Sequence, residues 1–216
     1  MKSTVFELKY PPNGPGWNEG GDAEFPIPTL KAYAIEYSEF KIKVGLGDEH
    51  KEMVEGQDYV LTETALVWHS AIAPMLPDMD YYRLVIHYHG IRDYALLFPY
   101  IKISELQRRL GQFYEESEVS FENGAWLAFA LLSGAIYEGM LFDFDEGRHE
   151  KFSELITIGK EKKILDEFSA GIMDQTRELR NLVHPGRAGE PFVTRAQAMD
   201  MRRVLDRLIK QAADWR

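Results

Sequence analysis

Arg177-Glu178-Leu179-Arg180-Asn181-Leu182-Val183-His184-Pro185-Gly186-Arg187 is the stretch from which the carboxy-terminal half of the chain is read. On an α-helix at about 100° per residue, Ile172, Thr176, Leu179 and Val183 share one face, which is expected to pack inward. Arg177, Arg180, Asn181 and His184 fall on an adjoining arc. Pro185 disfavours helical geometry at His184, and Gly186 favours a turn. The helix is therefore expected to end near His184. The imidazole then stands where the chain opens out, flanked by guanidinium groups.

Two readings of these side chains stay open at this point. In one, the arginines bind phosphate oxygens and stabilise charge that develops in a transition state, and histidine moves a proton near neutral pH. Metal-independent RNA cleavage needs that pair of roles, a base for the ribose 2′-OH and cations for the phosphorane. In the other, arginine and asparagine at a helix end cap carbonyls and pair with carboxylates. His184 then sits at the negative end of the helix dipole.

Outward from this stretch the pattern stays helical. Ser104 to Leu110 has helical spacing, with Ser104 as the expected cap. Phe121 to Phe142 reads as one long apolar helix, in which Ala128, Ala130, Gly134, Ala135 and Gly139 allow close approach of neighbours. Phe152, Leu155 and Ile156 begin another helix, expected to break near Gly159. Ile164 to Val183 is the next. Thr194 to Trp215 is the last, with Thr194 and Gln197 placed for a reciprocal cap.

Three segments in this order carry a family likeness. They are Ala130 to Leu141 with Glu138 before its last apolar turn, Phe152 to Ile156 followed by Lys163 to Asp166, and Leu179 to Arg187. Residues 120–210 resemble the helical HEPN superfamily of nucleotide-binding proteins, in particular a large bacterial branch. The resemblance implies a four-to-five-helix bundle that forms a homodimer, with two Arg…His motifs facing one groove. It also implies RNA as the ligand and metal-independent endoribonuclease activity in defence or toxin–antitoxin systems. A cognate antitoxin or a defence protein would be the partner. On this resemblance the catalytic set is Arg177, Arg180, Asn181 and His184, with Arg187 on RNA phosphate and no metal or cofactor.

Active members place four to six residues between arginine and histidine. Here Arg180 is followed by the family's asparagine, but three residues separate it from His184. Arg177 has six, and glutamate follows it. Other members have lost cleavage and bind RNA or assemble proteins, so a non-catalytic dimerising module is the alternative. Glu138 is the one carboxylate in an apolar stretch and is expected to accept a hydrogen bond from Arg180 or Asn181. That pairing would make Arg180 and Glu138 structural support and leave Arg177 and Arg187 for phosphate.

The first hundred residues read differently. Thr4 to Leu8, Ala32 to Tyr37, Phe40 to Val44, Tyr59 to Thr64 and Arg83 to His89 alternate with period two and are rich in aromatic and β-branched residues. They predict a mostly antiparallel sheet of five or six strands. Ala65 to Ile72 fits helix or strand. Pro11 to Gly16, Gly20-Gly21 and Pro26-Ile27-Pro28 read as loops. The fold class is α+β, with a β-rich region over 1–100 and a helical domain over 101–216. His87 and His89 would share one strand face and, with Asp93, offer a metal or small-molecule reading of the β-rich part. Alternating histidine and aromatic residues on a half-exposed strand is the simpler account.

Composition bounds the rest. The chain of 216 residues has no cysteine, which removes disulfides, thiolate metal sites and cysteine nucleophiles together. Its net charge is −10, but residues 177–216 carry nine Lys and Arg against five Asp and Glu. Broad coating of nucleic acid or an anionic membrane is excluded by the first figure, and one narrow anion groove is allowed by the second. No targeting segment is apparent, and a cytoplasmic protein without a membrane span is expected.

Overall fold

The computed structural model describes residues 1–9, 21–43, 50–69, 82–148 and 151–215. It divides into two compact units, Met1–Asp93 and Tyr94–Arg216. The fold is α+β, with antiparallel sheets in the first unit and five α-helices in the second.

Among the described residues the first unit has seven strands: β1 (Lys2–Leu8), β2 (Ala23–Pro26), β3 (Tyr33–Lys43), β4 (His50–Met53), β5 (Tyr59–Leu61), β6 (Ala65–Trp68) and β7 (Tyr82–Ile91). They form two antiparallel sheets, ordered β1-β7-β3-β4 and β2-β6-β5, where one sheet was expected. In the larger sheet Phe6, Leu84, Phe40 and Met53 lie directly across from one another, and all are buried. This row packs on the smaller sheet through aromatic rings. Phe40 meets Tyr59 at 5.4 Å and Trp68 at 5.8 Å, and Tyr82 meets Phe25 at 5.7 Å. Such edge and tilted pairs contribute about 0.5–1.5 kcal/mol each beyond area burial.

The two runs read as Ala32 to Tyr37 and Phe40 to Val44 are one strand. Tyr33 and Phe40 both point inward, which strict period two forbids for an odd and an even position. The ladder slips on either side of Ile35, and that bulge resets the phase. Of β2, Pro26 alone falls in the Pro26-Ile27-Pro28 stretch read as loop. β2 is an edge strand, where a missing N–H costs no ladder bond. β4, also an edge, is short and charged and carries no alternation. Ala65–Trp68 is strand, and Pro11 to Gly16 lie outside the described residues.

The second unit comprises α1 (Ser104–Glu122), α2 (Trp126–Phe144), α3 (Phe152–Glu161), α4 (Glu167–Leu179) and α5 (Arg195–Gln211). α2 touches the other four helices, and none of its residues is fully exposed. By length and composition it is apolar enough to cross a membrane, but half of it is buried within the unit as the core helix. Phe121 belongs to α1, not α2. Gly124, at φ +72°, turns the chain between them. Ser104 does not cap. Instead the Asp143 carboxylate of α2 accepts from the Lys102 and Ile103 N–H groups at 3.0 and 3.4 Å.

α3 runs to Glu161, so the helix ends shortly after Gly159, as expected. A Cβ there would sit 2.7 Å from Leu165, so the glycine lets the following turn fold back over the helix. α4 begins at an Asp166 cap rather than at Ile164. The expected Thr194–Gln197 capping box opens α5, whose Ala198, Met201, Val204, Leu205, Leu208 and Ile209 are buried. Phe129, Ala130, Val193, Ala198 and Met201 form a core against which Leu179 and Leu182 pack, and this anchors the motif segment.

Candidate functional site

α4 ends one residue before Arg180, and the chain tightens into a 3₁₀ turn over Arg180–Val183. A 3₁₀ turn advances about 120° per residue, so the inward face drifts round. Thr176 is buried and Ile172 and Leu179 are half-buried, but Val183 is 52% exposed, contrary to the expected face. His184 is extended at φ −77°, ψ 131°, and the chain opens there as Pro185 dictates. A second 3₁₀ turn spans Pro185–Arg187.

Each arginine of the motif meets a carboxylate. The Arg180 stem crosses α2 at Gly134, where a Cβ would lie 3.2 Å from its Cδ. Its Nη1 donates to Glu138 Oε2 at 2.7 Å. Gly134 and Glu138 are one helical turn apart, so the glycine opens the path and the glutamate receives the charge. Glu138 is 30% exposed, so it is a half-buried carboxylate rather than a deeply buried one. Arg177 Nε lies 3.4 Å from Asp174, and Arg187 Nε 2.9 Å from Glu190. Both are exposed pairs three residues apart, worth about 0–1 kcal/mol.

Arg177, Asn181 and Arg187 line one open depression of about 540 Å³, together with Glu178, Leu182, Glu190 and Gln197. Arg180 and His184 do not line it. Among the described residues the His184 imidazole has no hydrogen-bonding or ionic partner, and its backbone N–H donates to the Asn181 carbonyl at 3.1 Å. The structure thus brings three of the expected residues together and sets Arg180 and His184 apart from them. Glu178, Glu190 and Asp174 were missed. Their spacing of one or three residues from an arginine was the available signal.

The metal reading fares differently. His87 spends Nδ1 on Ser3 at 2.9 Å and Nε2 on Glu39 at 2.8 Å. His89, beside the slipped register, pairs with Glu36 at 2.6 Å. Among the described residues no three His, Cys, Asp or Glu side chains are placed to hold a metal ion.

No family model matches the chain, and no curated protein or solved structure is significantly similar to it.

Proposed function

We propose that the helical unit is a HEPN-like, RNA-directed module of a cytoplasmic protein. Its phosphate site is the depression lined by Arg177, Asn181 and Arg187. The observation that carries this reading is the convergence of two guanidinium groups and an amide on one open surface, held only by exposed carboxylates. A phosphate oxygen accepts bidentate hydrogen bonds from arginine and displaces a weak surface pair at little cost. Arg180 acts as a positioning residue that ties the motif turn to α2 through Glu138.

Endoribonuclease activity belongs to the proposal in one form. His184 stands outside the depression, so general-base action on a 2′-OH requires a second copy to bring its motif opposite the first. Val183 within the motif and Phe192 just after it, 52% and 66% exposed, support such a homodimer. A non-catalytic interaction module is the second reading, favoured by the carboxylate on each arginine. An antitoxin or defence partner fits either reading.

Growth and RNA integrity in bacteria expressing wild type or His184→Ala test cleavage. Arrest with RNA breakdown in the wild type alone supports it. Intact RNA in both, with a dimer by light scattering, favours the interaction module. RNA binding is tested by titrating single-stranded RNA across salt concentrations. Two phosphate contacts predict that log affinity falls with log salt with a slope of about −1.4, and Arg177→Glu with Arg187→Glu removes the dependence. Binding unchanged in that double variant would sink the site.

A further inference from the structure

The first unit carries an ordered serine–histidine–glutamate relay. Ser3, His87 and Tyr37 lie directly across from one another on β1, β7 and β3. They occupy the face opposite the Phe6–Leu84–Phe40 row, because each is an odd number of residues from it along its strand. Ser3 Oγ is 2.9 Å from His87 Nδ1, and His87 Nε2 is 2.8 Å from Glu39 Oε1. The Tyr37 ring stacks on the imidazole at 4.1 Å and 14°, which fixes its plane. Glu39 Oε2 accepts from Lys41 Nζ at 2.6 Å.

The direction of the relay follows from chemistry. Lys41, and after it His87, hold the Glu39 carboxyl below its ordinary value, so it is an ionised acceptor. An acceptor at Nε2 requires the proton on Nε2, and the neutral imidazole then turns its Nδ1 lone pair to Ser3. In that neutral tautomer the Ser3 hydroxyl donates to Nδ1. This is the arrangement of a nucleophile, a base and a group that orients the base. The imidazole is 15% exposed, whereas Ser3 is open to solvent.

We propose that Ser3 is a reactive serine, activated by His87 and Glu39, that accepts acyl groups from small carboxylic esters. In the step, Ser3 Oγ bonds to the ester carbonyl carbon, and the hydroxyl proton passes to His87 Nδ1. The carbon–oxygen bond to the leaving alcohol breaks, and the alcohol departs with that proton. Ser3 lies on the edge strand β1 and is open to solvent rather than enclosed in a cleft. The substrate class is accordingly esters with good leaving groups.

A fluorophosphonate probe tests this on the full chain. Ser3 Oγ attacks phosphorus, the phosphorus–fluorine bond breaks, and fluoride leaves. The expected result is one phosphonyl adduct on the peptide holding Ser3, absent in Ser3→Ala. His87→Gln should slow labelling about 100-fold, the size of a general-base contribution. Glu39→Gln should slow it too, because its amide can donate to Nε2 and shift the ring proton to Nδ1. Labelling in urea separates activation from mere accessibility without any variant. Loss of the adduct on unfolding supports the relay. No adduct on Ser3 in the folded chain, or equal labelling folded and unfolded, overturns it.

Discussion

Replacing Glu138 by glutamine removes the charge that receives Arg180 and little else. The pair spans 2.7 Å, with side chains 30% and 38% exposed. Two unit charges about 4 Å apart attract by about 1 kcal/mol in water and about 4 kcal/mol at an effective dielectric of about 20. Partial exposure and side-chain ordering place this pair near the lower figure, so Glu138→Gln is expected to destabilise the helical unit by about 1 kcal/mol. Gly134→Ala attacks the same contact from beneath. Its Cβ would lie 3.2 Å from both Arg180 Cδ and Thr176 Cγ2, so the stem must give by a few tenths of an ångström on its path to Glu138.

Hydrogen exchange in the α2 and α4 peptides reads this unit separately from the β-rich one. Each variant should lower protection, and the double variant should lose less than the two losses combined, by about 0.5 kcal/mol or more. About 1 M salt should shrink the Glu138→Gln effect, because the pair is half-exposed. RNA affinity should stay within about twofold of wild type, since neither residue lines the depression. Unchanged protection in Glu138→Gln, or strict additivity with Gly134→Ala, would refute the clamp.

Three other outcomes are expected. Lys163, at φ 58°, closes α3 in the left-handed region, with Ile164 N–H donating to the Gly159 carbonyl at 3.1 Å; Lys163→Gly should stabilise the unit by about 0.5 kcal/mol in urea unfolding. Tyr137→Phe removes a buried donor to the Met201 carbonyl at 2.6 Å and should cost about 1–2 kcal/mol in the same assay. Burial works to raise the Asp166 carboxyl, but Arg207 and Ser169 outweigh it and hold it below the ordinary aspartate value. Its stabilising contribution is therefore present above the unfolded-state value and lost as pH falls through the folded one. An acid titration of unfolding should show a flatter decline in Asp166→Asn.

Legibility from sequence followed the strength of local signals. The Thr194–Gln197 box was readable because both partners lie within one turn. The Glu138–Arg180 bond was readable because a carboxylate flanked by apolar residues needs a partner, and Arg180 or Asn181 was in reach. Val183 was misplaced because a 3₁₀ turn replaces the last α-helical turn, which no residue in the segment announces. The Asp143 cap on the start of α1 joins positions some forty residues apart, and spacing rules do not reach that far. The bulge beside Ile35 hid in the same way. Its sign was the conflict of parity between Tyr33 and Phe40, which looks like two strands until pairing is known.

The charge argument changes scale once partners are placed. The last forty residues are basic as a sum, yet Arg177, Arg180 and Arg187 face Asp174, Glu138 and Glu190 in turn. Attraction for a polyanion depends on the field at the groove, and a paired guanidinium contributes far less to that field than a bare one. The half-buried Glu138 pair is the strongest of the three, and the exposed pairs at Arg177 and Arg187 are the weakest. A phosphate in the proposed site would compete with the exposed partners Asp174 and Glu190, with Glu178 also at the lining, and leave Arg180 in place. In the proposed RNA site, position rather than total charge would decide which arginines bind, with Arg177 and Arg187 on the ligand and Arg180 paired to Glu138.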